Sequence, residues 1–137
     1  MKHLLIGSLF VLYLTSLPSL ALEPVQLQGS WILKSAVYTK ADGTVIKLSD
    51  QDMKSIKLVS KAYFSFVTVN KDGSFNNALT GRYQLQGDSY KETPEAGSVP
   101  AMLNKTYEFK AKLDGDLWHH SGMEDGTKIE ELWQRLD

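Results

Sequence analysis

Five clusters of turn-forming residues divide the chain into short segments: Ala41-Asp42-Gly43, Asn70-Lys71-Asp72-Gly73, Gln86-Gly87-Asp88, Asp114-Gly115-Asp116 and Glu124-Asp125-Gly126. Gly accepts a positive φ without steric penalty, and Asp or Asn can hydrogen-bond to its own backbone, so such clusters reverse the chain. The segments between them are rich in β-branched and aromatic residues. Turns at this spacing predict an all-β fold built as an antiparallel meander.

The cleanest strand runs from Thr106 to Leu113, where Tyr107, Phe109, Ala111 and Leu113 alternate with Thr106, Glu108, Lys110 and Lys112. One face is core and the other meets water. Further strands are expected at Ser30 to Thr39, Ser55 to Ser60, Ala62 to Asn70, Ser74 to Leu79, Gly81 to Leu85, Ser89 to Thr93, Leu117 to Gly122 and Lys128 to Leu136. Ser49 to Lys54 reads as a short helix, with Ser49 as its N-cap and Asp52 in the third position. The stretch Thr93 to Asn104, with Pro94, Gly97 and Pro100, reads as an ordered loop.

Residues 1–21 read as a secretory signal peptide: Lys2 is the basic start, Leu4 to Leu14 the apolar run, and Ser19-Leu20-Ala21 the small-residue cleavage site. The run is well short of the roughly 20 residues that a membrane-spanning helix needs, and the stretch after it is polar and contains Pro24. The expected mature product, residues 22–137, is a single soluble exported domain, periplasmic or extracellular. The chain has no cysteine, which excludes disulfides, thiol catalysis and a lipid-bearing cysteine anchor. One self-sufficient core must therefore carry the stability. Without Lys2, 14 of the 15 basic side chains face all 16 acidic ones. Nucleic acid and anionic membranes are disfavoured partners for such a chain.

Pairing the last two strands around Gly122 and Thr127 sets Trp118 opposite Glu131 and His120 opposite Ile129. Alternation then gathers Trp118, His120, Ile129, Glu131, Trp133 and Arg135 on one face, and the two tryptophans mark that face as the interior. Two Trp with a His and a Glu make a pocket-like composition. The alternative is that His120 and Glu131 satisfy each other's hydrogen bonds near the rim. The same alternation places Tyr83, Tyr90 and Glu92 on the interior, as ligand contacts or as ordinary core.

His119 and His120 are neighbours on a strand and point to opposite faces, so they do not chelate one ion unless the strand bulges. No metal site or cofactor is expected. No phosphate-binding glycine loop, nucleophile elbow or metalloprotease helix occurs. The Asp residues are explained by turn chemistry. The chain is not expected to be an enzyme.

Gly29-Ser30-Trp31 at the start of the first mature strand, with Arg135 at the end of the last, resembles the pattern of the calycin superfamily. Gly81-x-Tyr83, Gly87-Asp88-x-Tyr90-x-Glu92, Asp114-Gly115-Asp116-x-Trp118 and Glu131-x-Trp133-x-Arg135 resemble the lipocalin-like domain of small exported, mostly uncharacterised bacterial proteins. The resemblance implies an up-and-down barrel of about eight to ten strands. It also implies that Trp31 closes one end with Arg135 packed across it, a cation–π contact worth about 0.5 to 2 kcal/mol. A small apolar or amphipathic ligand is then expected in a cup formed by Tyr83, Tyr90, Glu92, Trp118, His120, Glu131 and Trp133. The second expectation is a filled barrel that acts on another protein, as an envelope component or as an inhibitor of an exported hydrolase.

Overall fold

Each of the five turn clusters closes a reversal between two neighbouring strands of one sheet. The computed structural model describes residues 21–137; the signal-peptide reading, apart from Ala21, lies outside the described residues. A single helical turn, α1 (Pro24–Leu27), precedes nine strands: β1 (Gly29–Thr39), β2 (Val45–Ser49), β3 (Met53–Val59), β4 (Tyr63–Asn70), β5 (Phe75–Gln86), β6 (Ser89–Gly97), β7 (Tyr107–Asp114), β8 (Leu117–Glu124) and β9 (Thr127–Arg135). Among the described residues no helix is long and apolar enough to cross a membrane.

All pairings are antiparallel. β1 lies against β9 along one edge, while its other edge holds β3 at Gly29–Ile32 and β2 at Ser35–Thr39. Eight strands, β1 and β3 to β9, thus close an up-and-down barrel, and β2 extends the β3 side toward one rim. Closure removes the exposed edges that an open sheet would present. Lys34 is an extra residue in β1 relative to β9, between the pairs Leu33↔Trp133 and Ser35↔Leu132. This bulge switches the inward positions of β1 from Trp31 and Leu33 to Ala36, all three buried.

Several sequence-level boundaries change. Ser49 to Lys54 is not a helix: the Asp52 carboxylate accepts from the Ser49 N–H at 2.8 Å and its O–H at 3.0 Å. That pair closes a tight turn, after which Met53 and Lys54 enter the ladder with Asn70 and Val69. The two strands expected at Ser74 to Leu79 and Gly81 to Leu85 are one continuous β5. The expected loop after Thr93 is strand as far as Gly97, because a bulge at Glu95 carries the β5–β6 ladder past Pro94. Only then does a 3₁₀ turn, Pro100–Met102, begin. β2 was not anticipated.

The last hairpin has Trp118 opposite Trp133 and His120 opposite Glu131, closed by Glu124↔Thr127. The expected partners, Glu131 for Trp118 and Ile129 for His120, are displaced by two residues. The cause is a two-residue loop, Asp125-Gly126, with both φ positive at 46° and 87°. A two-residue slip preserves the faces, so the inward set is unchanged.

Side chains fill only one half of the barrel. Trp31, Trp118, Tyr90, Phe64 and Phe109 are all essentially inaccessible to solvent, and the Trp31–Trp118 and Tyr90–Trp118 rings meet edge to face at 5.4 and 5.3 Å. Arg135 lies over the Trp31 ring at 4.2 Å. Its guanidinium donates to the carbonyls of Gln26 and Gln28, while the Trp31 indole N–H donates to Leu27 O at 2.8 Å. α1 is thereby held across this end as a plug, with Leu27 fully buried beneath it.

Gly81 lets β5 and β6 approach at the bulge: a Cβ there would stand 2.0 Å from Thr93 O and 2.7 Å from Pro94 Cα. Gly81→Ala is therefore expected to destabilise the fold by about 3 kcal/mol. A urea midpoint indistinguishable from wild type would refute this.

Candidate functional site

The half of the barrel beyond the aromatic packing is hollow. A cavity of about 410 Å³ opens at the end formed by the β1–β2, β4–β5 and β8–β9 turns. Its walls are Leu33, Phe66, Leu79 and Met53 from the barrel and Ile46 and Leu48 from β2. The bulge at Lys34 and the turn before β3 bring β2 to this rim, where the Lys34 ammonium pairs with Asp50.

The floor carries the unusual chemistry. Directly opposite residues of a sheet point the same way, so Lys57, paired with Trp31 on β1 and Phe66 on β4, is turned inward. Its ammonium meets the Glu92 carboxylate at 2.9 Å, with the two side chains 3% and 8% exposed. It also lies 5.0 Å from the Trp133 ring and 5.1 Å from that of Trp118, within cation–π range. The same Glu92 oxygen accepts from the Tyr90 hydroxyl at 2.9 Å. Burial and the nearby Glu92 charge push the Tyr90 phenol well above its ordinary range, so it remains a donor. Next to this pair, Ser55 and Thr68 hydroxyls bond at 2.8 Å.

Above the floor stand two more carboxyl groups. Glu131 accepts from the Tyr38 hydroxyl at 2.9 Å and from the Trp133 indole N–H at 2.9 Å. Burial raises its pKa above the carboxylate range, while Lys57 and the two donors oppose that rise. Glu124, near the rim, is pushed up to about 7 by burial and by the negative charges of Glu131 and Glu92. His120 forms part of the cavity wall. Its ring stacks on Phe109 with centroids 4.0 Å apart, in space that Gly122 leaves open: a Cβ there would stand 2.7 Å from Phe109 Cδ1. Burial, reinforced by the Lys57 charge, depresses the imidazole well below 6.5, so it is neutral. Among the described residues its Nδ1 has no hydrogen-bond partner, and neither has Trp118 Nε1. The alternative read from sequence, a His120–Glu131 hydrogen bond, is not formed among the described residues: the Tyr38 hydroxyl and the Trp133 indole N–H donate to the carboxylate instead.

The seven residues read from sequence as ligand-facing divide by height. Glu92, His120, Glu131 and Trp133 line the cavity; Tyr83, Tyr90 and Trp118 do not, and pack beneath its floor. Tyr83 spends its hydroxyl on Ser60 O at 2.7 Å. Lys57, Tyr38, Phe66 and Glu124 were missed. For Lys57 its own strand carries no signal, because it lies between the more apolar Ile56 and Leu58. Only the ladder to Trp31 reveals its direction. Among the described residues no cluster of three or more His, Asp or Glu side chains could hold a metal ion, and His119 is exposed on the outer surface.

The shifted groups make opposite demands on pH. A raised carboxyl pKa means that the folded state holds the proton more tightly, so Glu124's contribution to stability is full below 4.5 and is lost as the pH rises through about 7. His120, with a folded pKa below 6.5, contributes fully above that value, and its contribution is lost as the pH falls. Glu124→Gln removes the first effect alone. Its melting temperature relative to wild type should rise by several degrees between about pH 5 and about pH 8, and a difference that stays flat across that range would contradict the placement of Glu124.

No protein-family model matches the chain, and no curated protein matches it. Solved structures do match its fold, two of them from Bacteroides. A lipocalin-like protein from Bacteroides uniformis is 23% identical, with a TM-score of 0.51 over 80% of this chain and 98% of that one. An uncharacterized protein from Bacteroides eggerthii is 19% identical, with a TM-score of 0.51 over 79% of this chain and 98% of that one. With the β1–β9 closure, the plugged end and the open cup, this likeness establishes the chain as a lipocalin-like β-barrel.

Proposed function

We propose that this protein is an exported, non-catalytic carrier or sensor that binds a small amphipathic molecule in the open half of its barrel. The observation that carries the reading is the cavity itself. Its volume of about 410 Å³ falls in the roughly 300 to 1,000 Å³ range of small-molecule sites, and it combines apolar walls with a few convergent polar groups. Aromatic and aliphatic walls favour burial of an apolar body, and the polar groups near the floor orient a head group. Glu131, Glu124 and the neutral His120 have perturbed pKa values, as groups at functional sites often do. Among the described residues no Ser or Thr hydroxyl lining the cavity bonds to a His, Asp or Glu side chain, which favours binding over catalysis.

The alternative of a filled barrel acting on another protein draws on the outer face of β3 to β5, where Leu58, Val67 and Phe75 are 53%, 50% and 59% exposed. Side chains fill only the plugged half, however, so the cup remains the better supported site.

Titration with N-phenyl-1-naphthylamine, a neutral apolar fluorophore, should quench tryptophan emission saturably. Trp133→Phe should abolish most of the response and Trp118→Phe should preserve it, since only Trp133 borders the cavity. A panel of apolar and amphipathic probes that produced no saturable change would remove this reading. For export, the intact mass of protein recovered from its source should correspond to a chain beginning at Leu22; a mass that retains Met1 to Ala21 would contradict it.

A further inference from the structure

This inference rests on the cup being a binding site and concerns the charge of what enters it. The cavity holds one deep cation, Lys57, already matched by Glu92 at 2.9 Å. At the rim Asp125 is likewise engaged, by Lys105 at 3.6 Å and by the Tyr107 hydroxyl at 2.8 Å. Lys40 also borders the opening, far along β1 from the floor. Glu131 and Glu124 are left. Among the described residues neither forms an ion pair with a Lys or Arg. The partners of Glu131 are the neutral Tyr38 and Trp133 donors, which stabilise a carboxylate without cancelling its charge.

The neighbouring wall supplies no compensating charge either. His120 sits directly across the β8–β9 ladder from Glu131, is 3% exposed and borders the cavity, while its Nδ1 is closed off from solvent and has no hydrogen-bond partner among the described residues. Closed off from solvent and held neutral by burial, the imidazole is an uncharged neighbour of Glu131 and not a competing cation. The rings around Lys57 show that this interior tolerates an ammonium: Trp133, Trp118, Phe64 and Phe66 all lie within 5.9 Å of its nitrogen.

We infer that the cup selects amphipathic amines, with the ligand's ammonium held at Glu131 and Glu124 beside His120 and its apolar body against Phe66, Leu79 and Met53. An anionic head group would add like charge to the pair, and a neutral one would leave the pair's remaining negative charge uncompensated in a site of reduced solvent screening. Repulsion between the two glutamates, which raises the Glu124 pKa, is relieved by a cation between them. Amine binding near neutral pH therefore displaces protons from the site.

Three probes with one arene and different head groups test this by calorimetry: phenethylamine, 2-phenylethanol and 3-phenylpropionate. The amine should bind about tenfold or more tightly than the other two. Glu131→Gln should cost it about tenfold and should weaken the alcohol by much less, so that the amine's preference over the alcohol shrinks. Glu124→Gln, at the rim and without a hydrogen bond to lose, provides a second variant that should weaken the amine selectively if Glu131→Gln unfolds the barrel. Repetition in buffers of different ionisation enthalpy should show proton release for the amine alone. Binding regardless of head group, or an amine affinity unaltered by both variants, would overturn the charge selectivity and leave the cup intact as a site. If none of these probes nor octylamine, octanol or octanoate binds, the cup reading and this inference fall together.

Discussion

The Lys57–Glu92 pair is the constraint around which this interior is arranged. Two charges removed from water each cost several kcal/mol, and only close geometry with further hydrogen bonds offsets that. Here the Tyr90 hydroxyl completes the coordination of Glu92, and the faces of Trp118 and Trp133 flank the ammonium. Deleting one partner of such a pair would strand the other, a loss of about 3 to 5 kcal/mol. The rings must therefore stay where they are. Trp118 faces the plugged half and Trp133 the open half, so the pair forms the boundary between solid core and cup.

The plugged end and the floor reinforce each other through the ladders. Trp31 holds α1 through Leu27 O and supports Arg135 on its face. On the other edge of β1 it stands opposite Lys57. Rigidity at the base matters for recognition in the upper half, because a cavity whose floor is fixed loses little entropy when it is filled. The polar groups above are positioned in the same way: Tyr38 and Trp133 clamp Glu131 from two adjacent strands. Its carboxylate is thus oriented before any ligand arrives.

Much of the fold was legible because turns and alternation are local. Tyr107, Phe109 and Ala111 declare the inner face of β7, and the Asp-Gly turns declare its neighbours. Trp133, His120, Glu131 and Glu92 were read as inward from the same period of two, which a two-residue register error left intact. What was not legible depends on partners distant in sequence. Ser55-Ile56-Lys57-Leu58-Val59 inverts the usual pattern, with Ile56 and Leu58 on the outer face and Ser55 and Lys57 buried, and only pairing to β1 and β4 decides it. β2 escaped notice because it is only five residues long and sits between two tight turns, and Ser49 with Asp52 imitates a helix start while closing the second of them. Tyr83, Tyr90 and Trp118 were assigned the correct face but the wrong height. Alternation says which way a side chain points, whereas depth along the barrel axis depends on where the packing stops.

The β1–β9 seam also governs how the molecule can be made. Its hairpins are local and can pair as soon as their turns exist. The contacts that close the ring join positions such as Gln28 and Arg135, 107 residues apart, and non-local contacts of this kind slow folding. Until β9 is available, β1 presents a bare edge and the plug lacks the guanidinium that holds it. The unfinished chain is then a curved open sheet with two reactive margins, and the final nine-residue strand turns that aggregation-prone intermediate into a sealed molecule.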